Sequence, residues 1–356
     1  MRRLPLFLLI DISDSMIGEP IEYLQKGIDS MISKLRQDPH AIETLHISII
    51  AFAGRVKTIV PLMELPGFYA PKLQVGAGTS LGGALEHLMK EIDTKVVQRT
   101  EHRKGDWKPL VYLMSDGKPT DIFQPAVDKW NRHYRNRVNT VAIGLGPHAS
   151  TGIFSKFADN VLTYNGETEA DFTKFIEWMT ISVKTQSIKV AESGDRGAFK
   201  VSLEKSSDVL QPVKSGVASK DEDHVILVGR CQIKKSPYII KYNTTAHSTP
   251  ISQIMNFRQN DAKYMLSGCY PVDESYFEWS DPGSMGGDGP AVSISSIFGN
   301  ASCPRCGNPV ANAVCGCGKI FCVPGTGPSK CPWCGRTVTM EIMGEGVDFD
   351  ITRSYG

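Results

Sequence analysis

Residues 4–15 read LPLFLLIDISDS, an apolar run that stops abruptly at acidic and hydroxyl side chains. A continuous apolar run of this length is typical of a strand buried on both faces, as in a parallel sheet covered by helices. Asp11, Ser13 and Ser15 then follow at alternate positions. Open α/β sheets bind their ligands at the carboxyl ends of strands. The stretch therefore predicts both the fold class and the place of a site.

The first half of the chain repeats this pattern. Short apolar runs alternate with longer amphipathic stretches up to about residue 187, which predicts a parallel sheet with helices on both faces. Strand candidates are LPLFLLI, TLHISIIAF, VKTIVPL, PLVYLM, VNTVAIGL and a short run near Val161. Apolar spacing predicts helices over residues 21–35, 81–92, 125–136 and 172–179. Because only residues 53–55 separate the second and third runs, these two strands are expected to form an antiparallel hairpin.

The composition limits the possible partners. The chain has 356 residues, with 39 basic and 38 acidic side chains and a net charge of +1. Its length exceeds the roughly 100 to 200 residues of one domain, so two or three domains are expected. The balanced charge gives no global field to attract nucleic acid or an anionic membrane. No run approaches the roughly 18 apolar residues of a membrane span, so a soluble, cytoplasmic protein is expected.

Two later segments can share a metal site with the first one. The sequence GAGTSL places Thr79 on a glycine-rich loop before a predicted helix, and LMSDG places Asp116 at the end of an apolar strand. Carboxylate and hydroxyl oxygens are hard donors that suit Mg2+ or Mn2+. An alternative for the first segment alone is a helix cap, since Asp and Ser are common cap residues. A phosphate-binding P-loop is disfavoured because no Gly-Lys-Ser/Thr sequence follows the glycines.

The three segments together resemble a known metal site. D-x-S-x-S, then G-x-G-T-S-L-G-x-A-L, then an apolar strand ending S-D-G, resemble the metal-ion-dependent adhesion site of von Willebrand factor A domains. The resemblance covers roughly the first half of the chain. It implies a doubly wound, Rossmann-like sheet with one antiparallel edge strand, and a divalent cation whose open position accepts a partner's carboxylate. The residues that match the family's metal ligands are Asp11, Ser13, Ser15, Thr79 and Asp116.

Other polar residues near these segments are interpreted as ordinary surface groups. Asp14 and Asp121 are predicted to be solvated loop acids, although either could contact the metal shell or a partner. His46 and His87 are predicted to lie on the surface of a strand and of a helix. No nucleophile, general base and orienting group occur in a recognised order, so no catalytic residues are predicted.

Seven of the nine cysteines are crowded into 32 residues near the end of the chain. CPRCG at residues 303–307 and CPWCG at residues 331–335 are two knuckles, each a turn that can present two sulfurs to one metal. In a reducing compartment such a cluster favours zinc over disulfides. The predicted zinc ligands are Cys303, Cys306, Cys331 and Cys334.

Three further cysteines, Cys315, Cys317 and Cys322, lie between the knuckles. They permit a second metal, or they could replace ligands of the first. A second all-thiolate site needs an eighth cysteine, which Cys231 or Cys269 could supply, although a water, a histidine or a shared ligand could serve instead. Both outlying cysteines could also be small buried apolar residues, an interpretation favoured for Cys269. One or two zinc ions are predicted, in a small module that metal binding would stabilise.

The composition changes after residue 187. Residues 188–222 are rich in Ser, Lys, Gly and Asp and are predicted to be exposed strands and a linker. VILVGRCQI, PYIIKY and a run near Val292 then restore strand patterning. The predicted organisation is a von Willebrand factor A domain over residues 1–187, the linker, a small β-rich, zinc-ribbon-like domain over residues 223–345, and a polar tail over residues 346–356.

The whole arrangement resembles the TerY-type proteins of bacterial tellurium-resistance and stress-response systems, which join an A domain to a cysteine-rich metal module. The resemblance implies a non-enzymatic, metal-dependent scaffold. Its implied partners are other tellurium-resistance proteins and, in some systems, a protein kinase or a metal-dependent protein phosphatase. The family's module is described with eight cysteines, whereas this cluster has seven. Two alternatives stay open: a divalent-metal-dependent phosphoryl-transfer or hydrolytic enzyme, and a thiolate protein that senses or detoxifies metals.

Overall fold

The computed structural model describes residues 2–102, 104–146, 149–166, 168–193, 209–213, 224–245, 263–281, 291–341 and 349–354. The chain divides into two compact units. Unit 1 consists of Met1–Ile12, Glu19–Leu73 and Thr79–Ser219. Unit 2 consists of Ser13–Gly18, Gln74–Gly78 and Lys220–Gly356. Two short segments from the first half of the chain therefore belong to unit 2.

A seven-stranded sheet forms the centre of unit 1. Its strands are β1 (Leu4–Asp11), β2 (Leu45–Phe52), β3 (Val56–Glu64), β4 (Leu110–Ser115), β5 (Asn139–Leu145), β6 (Asn160–Tyr164) and β7 (Leu210–Pro212), in the spatial order β3-β2-β1-β4-β5-β6-β7. The five inner strands are parallel, as the apolar runs predict. β3 pairs antiparallel with β2, which confirms the predicted hairpin. β7, which lies in the segment predicted to contain exposed strands, forms a second antiparallel edge, and its pairing with β6 was not predicted.

Helices cover both faces of this sheet. Among the described residues of unit 1 they are α1 (Glu19–Leu35), α2 (Pro39–Thr44), α3 (Leu81–Lys95), α4 (Gln124–His133) and α5 (Glu169–Ser193). α3 and α4 share a core cluster with Phe7 of β1 and Val111 of β4. The next residue, Tyr112, points to the other face, where its ring lies 6.4 Å from the ring of Trp178 in α5. The fold is therefore the predicted doubly wound α/β sheet.

The region around the predicted linker differs from the prediction. α5 continues to Ser193, so the predicted domain boundary at residue 187 falls within a helix. Residues 210–212 form β7 and pair with β6. The predicted linker otherwise lies outside the described residues. Among the described helices, none combines the length and the apolar character that crossing a bilayer requires.

Unit 2 is built mainly from short strands. They are β8 (His224–Arg230), β9 (Pro237–Thr244), β10 (Tyr264–Pro271), β11 (Ala291–Ser293), β12 (Ile297–Phe298), β13 (Val310–Val314), β14 (Ile320–Val323), β15 (Gly327–Lys330), β16 (Thr337–Met340) and β17 (Asp350–Thr352). One sheet has the order β12-β10-β9-β8-β14-β13, and the pairs β11-β17 and β15-β16 are separate. A short helix, α6 (Ser275–Trp279), follows β10. The predicted small β-rich domain is confirmed.

The core of unit 2 mixes apolar side chains with cysteines. One cluster contains Leu227, Tyr238 and Ile240 together with the buried Cys231 and Cys322. Cysteine side chains thus form part of this core beside the apolar ones. Metal ligation by such cysteines could add to the free energy of folding of a small domain.

The end of the chain contributes to the same core. β17 pairs antiparallel with β11, and Ile351 is 3% exposed opposite Val292. The sequence predicted a polar tail because the residues around Ile351 are polar. Burial of one large aliphatic side chain contributes about 1.5–3 kcal/mol, which favours this short strand. The predicted tail is therefore wrong at residues 350–352.

Candidate metal centres

The ends of β1 and β4 bring two predicted metal ligands to one edge of the sheet in unit 1. These strands are parallel neighbours, with Ile10 opposite Met114. Asp11 is the last residue of β1, and Asp116 directly follows the last residue of β4. Both side chains are buried, with 0% and 8% of the residue surface exposed. Buried carboxylates require positive charge or hydrogen-bond donors nearby, and a divalent cation would supply the charge.

Hydrogen bonds orient Asp11 in this edge. The hydroxyl of Ser115 donates to Oδ2 of Asp11 over 2.5 Å, and the N–H of Gly117 donates to the Ser115 hydroxyl over 2.9 Å. Lys118, two residues after Asp116, is also buried. Ser115 and Lys118 are not among the site residues predicted from the sequence. The available signal was their position in the S-D-G-K segment at a strand end.

Thr79 is fixed to the loop that follows β4. Its N–H donates to Oγ1 of Thr120, and the N–H of Thr120 donates to the carbonyl of Thr79, each over 2.9 Å. The Thr79 hydroxyl is buried and has no hydrogen-bond partner among the described residues. Leaving such a group unsatisfied costs about 1–3 kcal/mol. A hard cation would satisfy this oxygen, so the residues in unit 1 fit the predicted Mg2+.

The remaining two predicted ligands, Ser13 and Ser15, lie in unit 2. Both are buried, and their hydroxyl oxygens are 2.9 Å apart. The chain places them two and four residues after Asp11. Ser13 also forms a parallel β-bridge with Gly76. The structure thus brings the two serine oxygens together, and their ligation of one cation with Asp11 stays a prediction.

Asp14 is not the solvated loop acid that the sequence predicted. It is fully buried, and its Oδ2 accepts hydrogen bonds from the hydroxyls of Tyr276 at 3.0 Å and Ser354 at 2.6 Å. All three residues belong to unit 2. The prediction is wrong because both partners are far away along the chain, where a local pattern gives no signal.

Asp121 also has a structural role and is not the solvated loop acid that the sequence predicted. Its carboxylate accepts hydrogen bonds from the Ser80 hydroxyl at 2.8 Å and from the N–H groups of Gly82 at 3.2 Å and Gly83 at 3.0 Å. These N–H groups are in the first turn of α3, where backbone donors lack partners within the helix and the helix dipole favours an acid. Asp121 therefore holds the beginning of α3 and is only partly exposed.

The two histidines near this region are partly buried. His87 lies 2.7 Å from the hydroxyl of Thr58, counting from its Nε2 atom, so it links α3 to β3. His46 lies in β2, where burial lowers its pKa, and its Nδ1 is 3.3 Å from the carbonyl of Thr44. His46 lies on a strand and His87 on a helix, as predicted, but both are partly buried and not simply surface residues.

The cysteines of unit 2 form two groups of four. The first quartet is Cys231, Cys303, Cys306 and Cys322, and the second quartet is Cys315, Cys317, Cys331 and Cys334. Within each quartet all sulfurs lie within 4.8 Å of one another. Zinc at about 2.3 Å from four thiolates places the sulfurs about 3.8 Å apart, the edge of the tetrahedron. Three of the sulfur pairs match this edge: Cys306–Cys322 at 3.6 Å, Cys315–Cys334 at 3.7 Å and Cys317–Cys331 at 4.0 Å.

This grouping corrects the predicted zinc site. The two knuckles, which the sequence analysis joined in one site, lie in different quartets. β14 pairs parallel with β8, which brings Cys322 beside Cys231, the residue that follows β8. Cys315 and Cys317 lie in the turn between β13 and β14 and join the second knuckle. Cys231 is thus the eighth cysteine, and Cys269 belongs to neither quartet; burial raises its pKa to about 12.

Cys231 begins a third turn with the knuckle conformation, although its sequence lacks the C-P-x-C-G pattern. The N–H of Lys235 donates to the Cys231 carbonyl over 2.9 Å, as Gly307 does to Cys303 over 2.9 Å in the first C-P-x-C-G knuckle. Lys235 also has a left-handed backbone, with φ of 59°, against 79° for Gly307. The segment CQIKK therefore has the knuckle conformation, with lysines where the second cysteine and the glycine stand elsewhere.

We expect Lys235→Gly to stabilise zinc-loaded unit 2 by about 0.5–1 kcal/mol. A left-handed backbone costs a residue with a side chain about 1–2 kcal/mol, and the greater freedom of glycine in the unfolded chain offsets about 0.5–1 kcal/mol of that gain. Chemical denaturation measures the change. The matched control is Lys234→Gly, an adjacent exposed lysine that lacks a positive φ, which we expect to destabilise the protein. Equal effects of the two changes would contradict the assignment.

The two quartets differ in exposure. In the first quartet Cys306 is partly exposed and the others are buried, whereas Cys317 and Cys334 of the second quartet are exposed. A hydrogen bond from the backbone of Arg336 lowers the pKa of Cys334 to about 7, while burial raises the pKa of Cys315 to about 12. A thiol with a lower pKa releases its proton to a metal more readily. The second quartet is therefore the one with solvent access.

Comparison with known families matches two regions of the chain. Residues 6–177 match the von Willebrand factor type A domain. Residues 221–356 match the TerY-C metal binding domain. The first match contains all five predicted oxygen ligands, and the second contains all eight quartet cysteines.

Individual relatives cover less of the chain. An uncharacterized protein of Synechocystis sp. is 29% identical over 126 residues, which is 33% of this chain and 26% of that protein, so the chain spans about a quarter of its length. A von Willebrand factor type A structure from Catenulispora acidiphila has 16% identity and a TM-score of 0.39, covering 51% and 43% of the two chains. Proximal thread matrix protein 1 from the mussel byssus has 18% identity and a TM-score of 0.39, covering 51% and 48%.

Proposed function

We propose that this chain, which belongs to the TerY-type proteins through its von Willebrand factor A domain and its TerY-C metal-binding domain, is a metal-dependent interaction scaffold. The observation that carries the proposal is the buried hydroxyl of Thr79, which lacks a hydrogen-bond partner among the described residues and is fixed to the loop that carries Asp116. An oxygen in that position is suited to ligate a cation rather than to accept a hydrogen bond from a protein donor.

The proposed oxygen site takes Mg2+ or Mn2+. The residues that would hold the ion are Asp11, Ser13, Ser15, Thr79 and Asp116. A bound cation with an open coordination position supplies electrostatic attraction for a carboxylate of a partner protein. The protein contributes the buried carboxylates at the strand ends and the hydrogen bond from Ser115 that orients Asp11.

The cysteine quartets would hold two zinc ions. Their sulfur spacing fits tetrahedral thiolate ligation, and the small mixed core of unit 2 needs the added stability. We therefore assign the zinc ions a structural role, which favours a scaffold over a thiolate sensor or a detoxifying protein.

The proposed setting is the cytoplasm of a bacterium, in a tellurium-resistance or stress-response system. Its reducing thiol pool keeps clustered cysteines available for metal. The proposed partners are proteins that present an acidic residue, including other tellurium-resistance proteins, a protein kinase or a metal-dependent protein phosphatase. Neither nucleic acid nor a membrane is among them, since the net charge of +1 gives no general attraction for polyanions.

The test combines metal binding with partner capture. We expect Asp11→Ala together with Asp116→Ala to weaken Mg2+ binding by more than about 100-fold, because even residues that only support metal ligands account for roughly 10–100-fold. Capture of bacterial proteins on the immobilised protein should fall in parallel. Mg2+ is omitted from the comparison buffer rather than chelated, since a chelator would also remove zinc from the thiolates.

The control is Asp29→Ala, which removes the same charge from an exposed position on α1. It should leave Mg2+ binding and capture unchanged. Capture that stays the same in the double variant would contradict the scaffold proposal. A Mg2+-dependent phosphatase or nucleotidase activity that Asp116→Ala abolishes would instead favour the enzyme alternative.

A further inference from the structure

Unit 2 includes two segments that contain or adjoin predicted oxygen ligands in sequence. Ser13 and Ser15 lie in the segment Ser13–Gly18, and the segment Gln74–Gly78 ends directly before Thr79. A parallel β-bridge between Ser13 and Gly76 joins the two segments. The two serine ligands therefore fold together with the TerY-C residues of unit 2.

The carboxylate of Asp14 anchors the first of these segments. Its Oδ2 accepts hydrogen bonds from Tyr276 and Ser354, whose hydroxyl oxygens are 3.3 Å apart. Burial, followed by the charge of Asp14, raises the pKa of Tyr276 well above its ordinary value, so the phenol stays a hydrogen-bond donor. Because Asp14 lies between Ser13 and Ser15 in the chain, the direction of its side chain fixes the backbone that carries both hydroxyls.

A buried lysine holds the same segment from the sheet of unit 2. Lys241 in β9 is 7% exposed. Its Nζ donates to the carbonyl of Ser15 over 2.6 Å and to the carbonyl of Ile17 over 3.4 Å. Burial of an ammonium group is costly unless it is paired or hydrogen-bonded, so these contacts are strongly favoured in the folded state. The backbone of Ser15 is thus fixed on its carbonyl side as well.

Helix α6 and the residue after it form hydrogen bonds with both segments, Ser13–Gly18 and Gln74–Gly78. Tyr276 bonds Asp14, while the hydroxyl of Ser280, directly after the helix, accepts a hydrogen bond from the N–H of Ala77 over 2.9 Å. The Ser280 hydroxyl in turn donates to the Tyr276 carbonyl over 2.6 Å. A Cβ atom added to Gly76 would lie 2.8 Å from the backbone carbon of Trp279. The two segments and α6 therefore form one closely packed arrangement.

We propose that Tyr276, Ser354 and Lys241 are positioning residues for the serine ligands, so that the C-terminal module sets the affinity of the oxygen site for Mg2+. Mg2+ requires nearly ideal octahedral geometry, so small displacements of a ligand weaken it strongly. None of the three residues contacts the ion in this role. They act through Asp14 and the Ser15 carbonyl. The inference rests on the proposed function of the oxygen site.

The test uses the full-length, zinc-loaded protein and titration calorimetry with MgCl2. Tyr276→Phe and Ser354→Ala each remove one hydroxyl from Asp14 with little change in volume. We expect each variant to bind Mg2+ about tenfold more weakly, in the range of residues that support metal ligands. Ser354→Thr keeps a hydroxyl and should restore binding to within about twofold of the wild type. Zinc content, measured by elemental analysis, should stay unchanged in all of them.

The matched control is Tyr242→Phe, at a fully buried tyrosine in β9 of the same unit, whose hydroxyl donates to the carbonyl of Gly299. Tyr242→Phe should lower the melting temperature without changing the Kd for Mg2+. If Tyr276 had a purely structural role, Tyr276→Phe would likewise leave the Kd unchanged. If Tyr276→Phe fails to fold, Ser354→Ala at a partly exposed position decides. The inference is overturned, and the proposed function is kept, if Asp116→Ala abolishes Mg2+ binding while Tyr276→Phe and Ser354→Ala leave the Kd for Mg2+ unchanged. A wild-type protein without saturable Mg2+ binding overturns the proposed function as well.

Discussion

Replacing Cys322 by serine is expected to remove one of two zinc ions and to unfold much of unit 2. Cys322 is fully buried in β14, and its sulfur accepts hydrogen bonds from the Gln232 N–H at 3.3 Å and the Asn308 side chain at 3.4 Å. It also joins the sheet to the first quartet. A structural zinc ion contributes roughly 10–16 kcal/mol to the folding of small metal-binding modules, which is as large as the whole stability of about 5–15 kcal/mol that most domains have.

Cys269→Ser is the matched control, because Cys269 is partly buried in the same unit but belongs to neither quartet. Elemental analysis should give two zinc ions per chain for the wild type and for Cys269→Ser, and at most one for Cys322→Ser. Circular dichroism should show loss of strand signal only in the Cys322 variant. Two tightly bound zinc ions in Cys322→Ser would mean that the first quartet is not a metal site.

Gly117→Ala is expected to destabilise unit 1 by about 2–5 kcal/mol and to weaken Mg2+ binding about tenfold or more. Gly117 has φ of 78°, and an added Cβ atom would lie 2.5 Å from the backbone oxygen of Ser150. The clash cannot be relieved cheaply, because the N–H of Ser150 donates to the carbonyl of Asp116 over 2.7 Å. Any shift of this backbone therefore moves the Asp116 ligand.

Gly146→Ala separates the effect of backbone strain from the effect of the clash with Ser150. Gly146 has φ of 93°, but an added Cβ atom would meet no atom of the described residues within 4 Å. It should cost only the backbone strain of about 1–2 kcal/mol and leave the Kd for Mg2+ unchanged. Thermal denaturation and MgCl2 titration of both variants measure the difference. Similar losses of stability and affinity at the two glycines would contradict the role of the Ser150 contact.

Local sequence patterns predicted most of unit 1. The apolar run of β1 and its neighbours fixes a parallel sheet, since only strands covered on both faces bury so many consecutive apolar residues. The three-residue connection before Val56 determines the β3 hairpin. Strand ends then place Asp11 and Asp116 at one edge, without any knowledge of tertiary contacts. In such sheets the site follows from the fold.

Features that depend on distant pairing could not be predicted. The membership of the quartets depends on β14 lying beside β8, about 90 residues apart in sequence, and cysteine spacing alone favoured joining the two similar knuckles. Asp14 looked like a loop acid because its partner Tyr276 is 262 residues away. β7 is short and follows a polar stretch, so its pairing with β6 leaves almost no local signal.

The order of the cysteines along the chain matters while the protein is being synthesised. The ribosome releases Cys231, Cys303, Cys306, Cys315 and Cys317 before Cys322. The nascent chain therefore exposes three sulfurs of the first quartet and two of the second before either quartet is complete. A zinc ion held at that stage by sulfurs of both quartets would have to exchange ligands once β14 pairs with β8. The native grouping therefore requires Cys322 to reach Cys231 through that pairing.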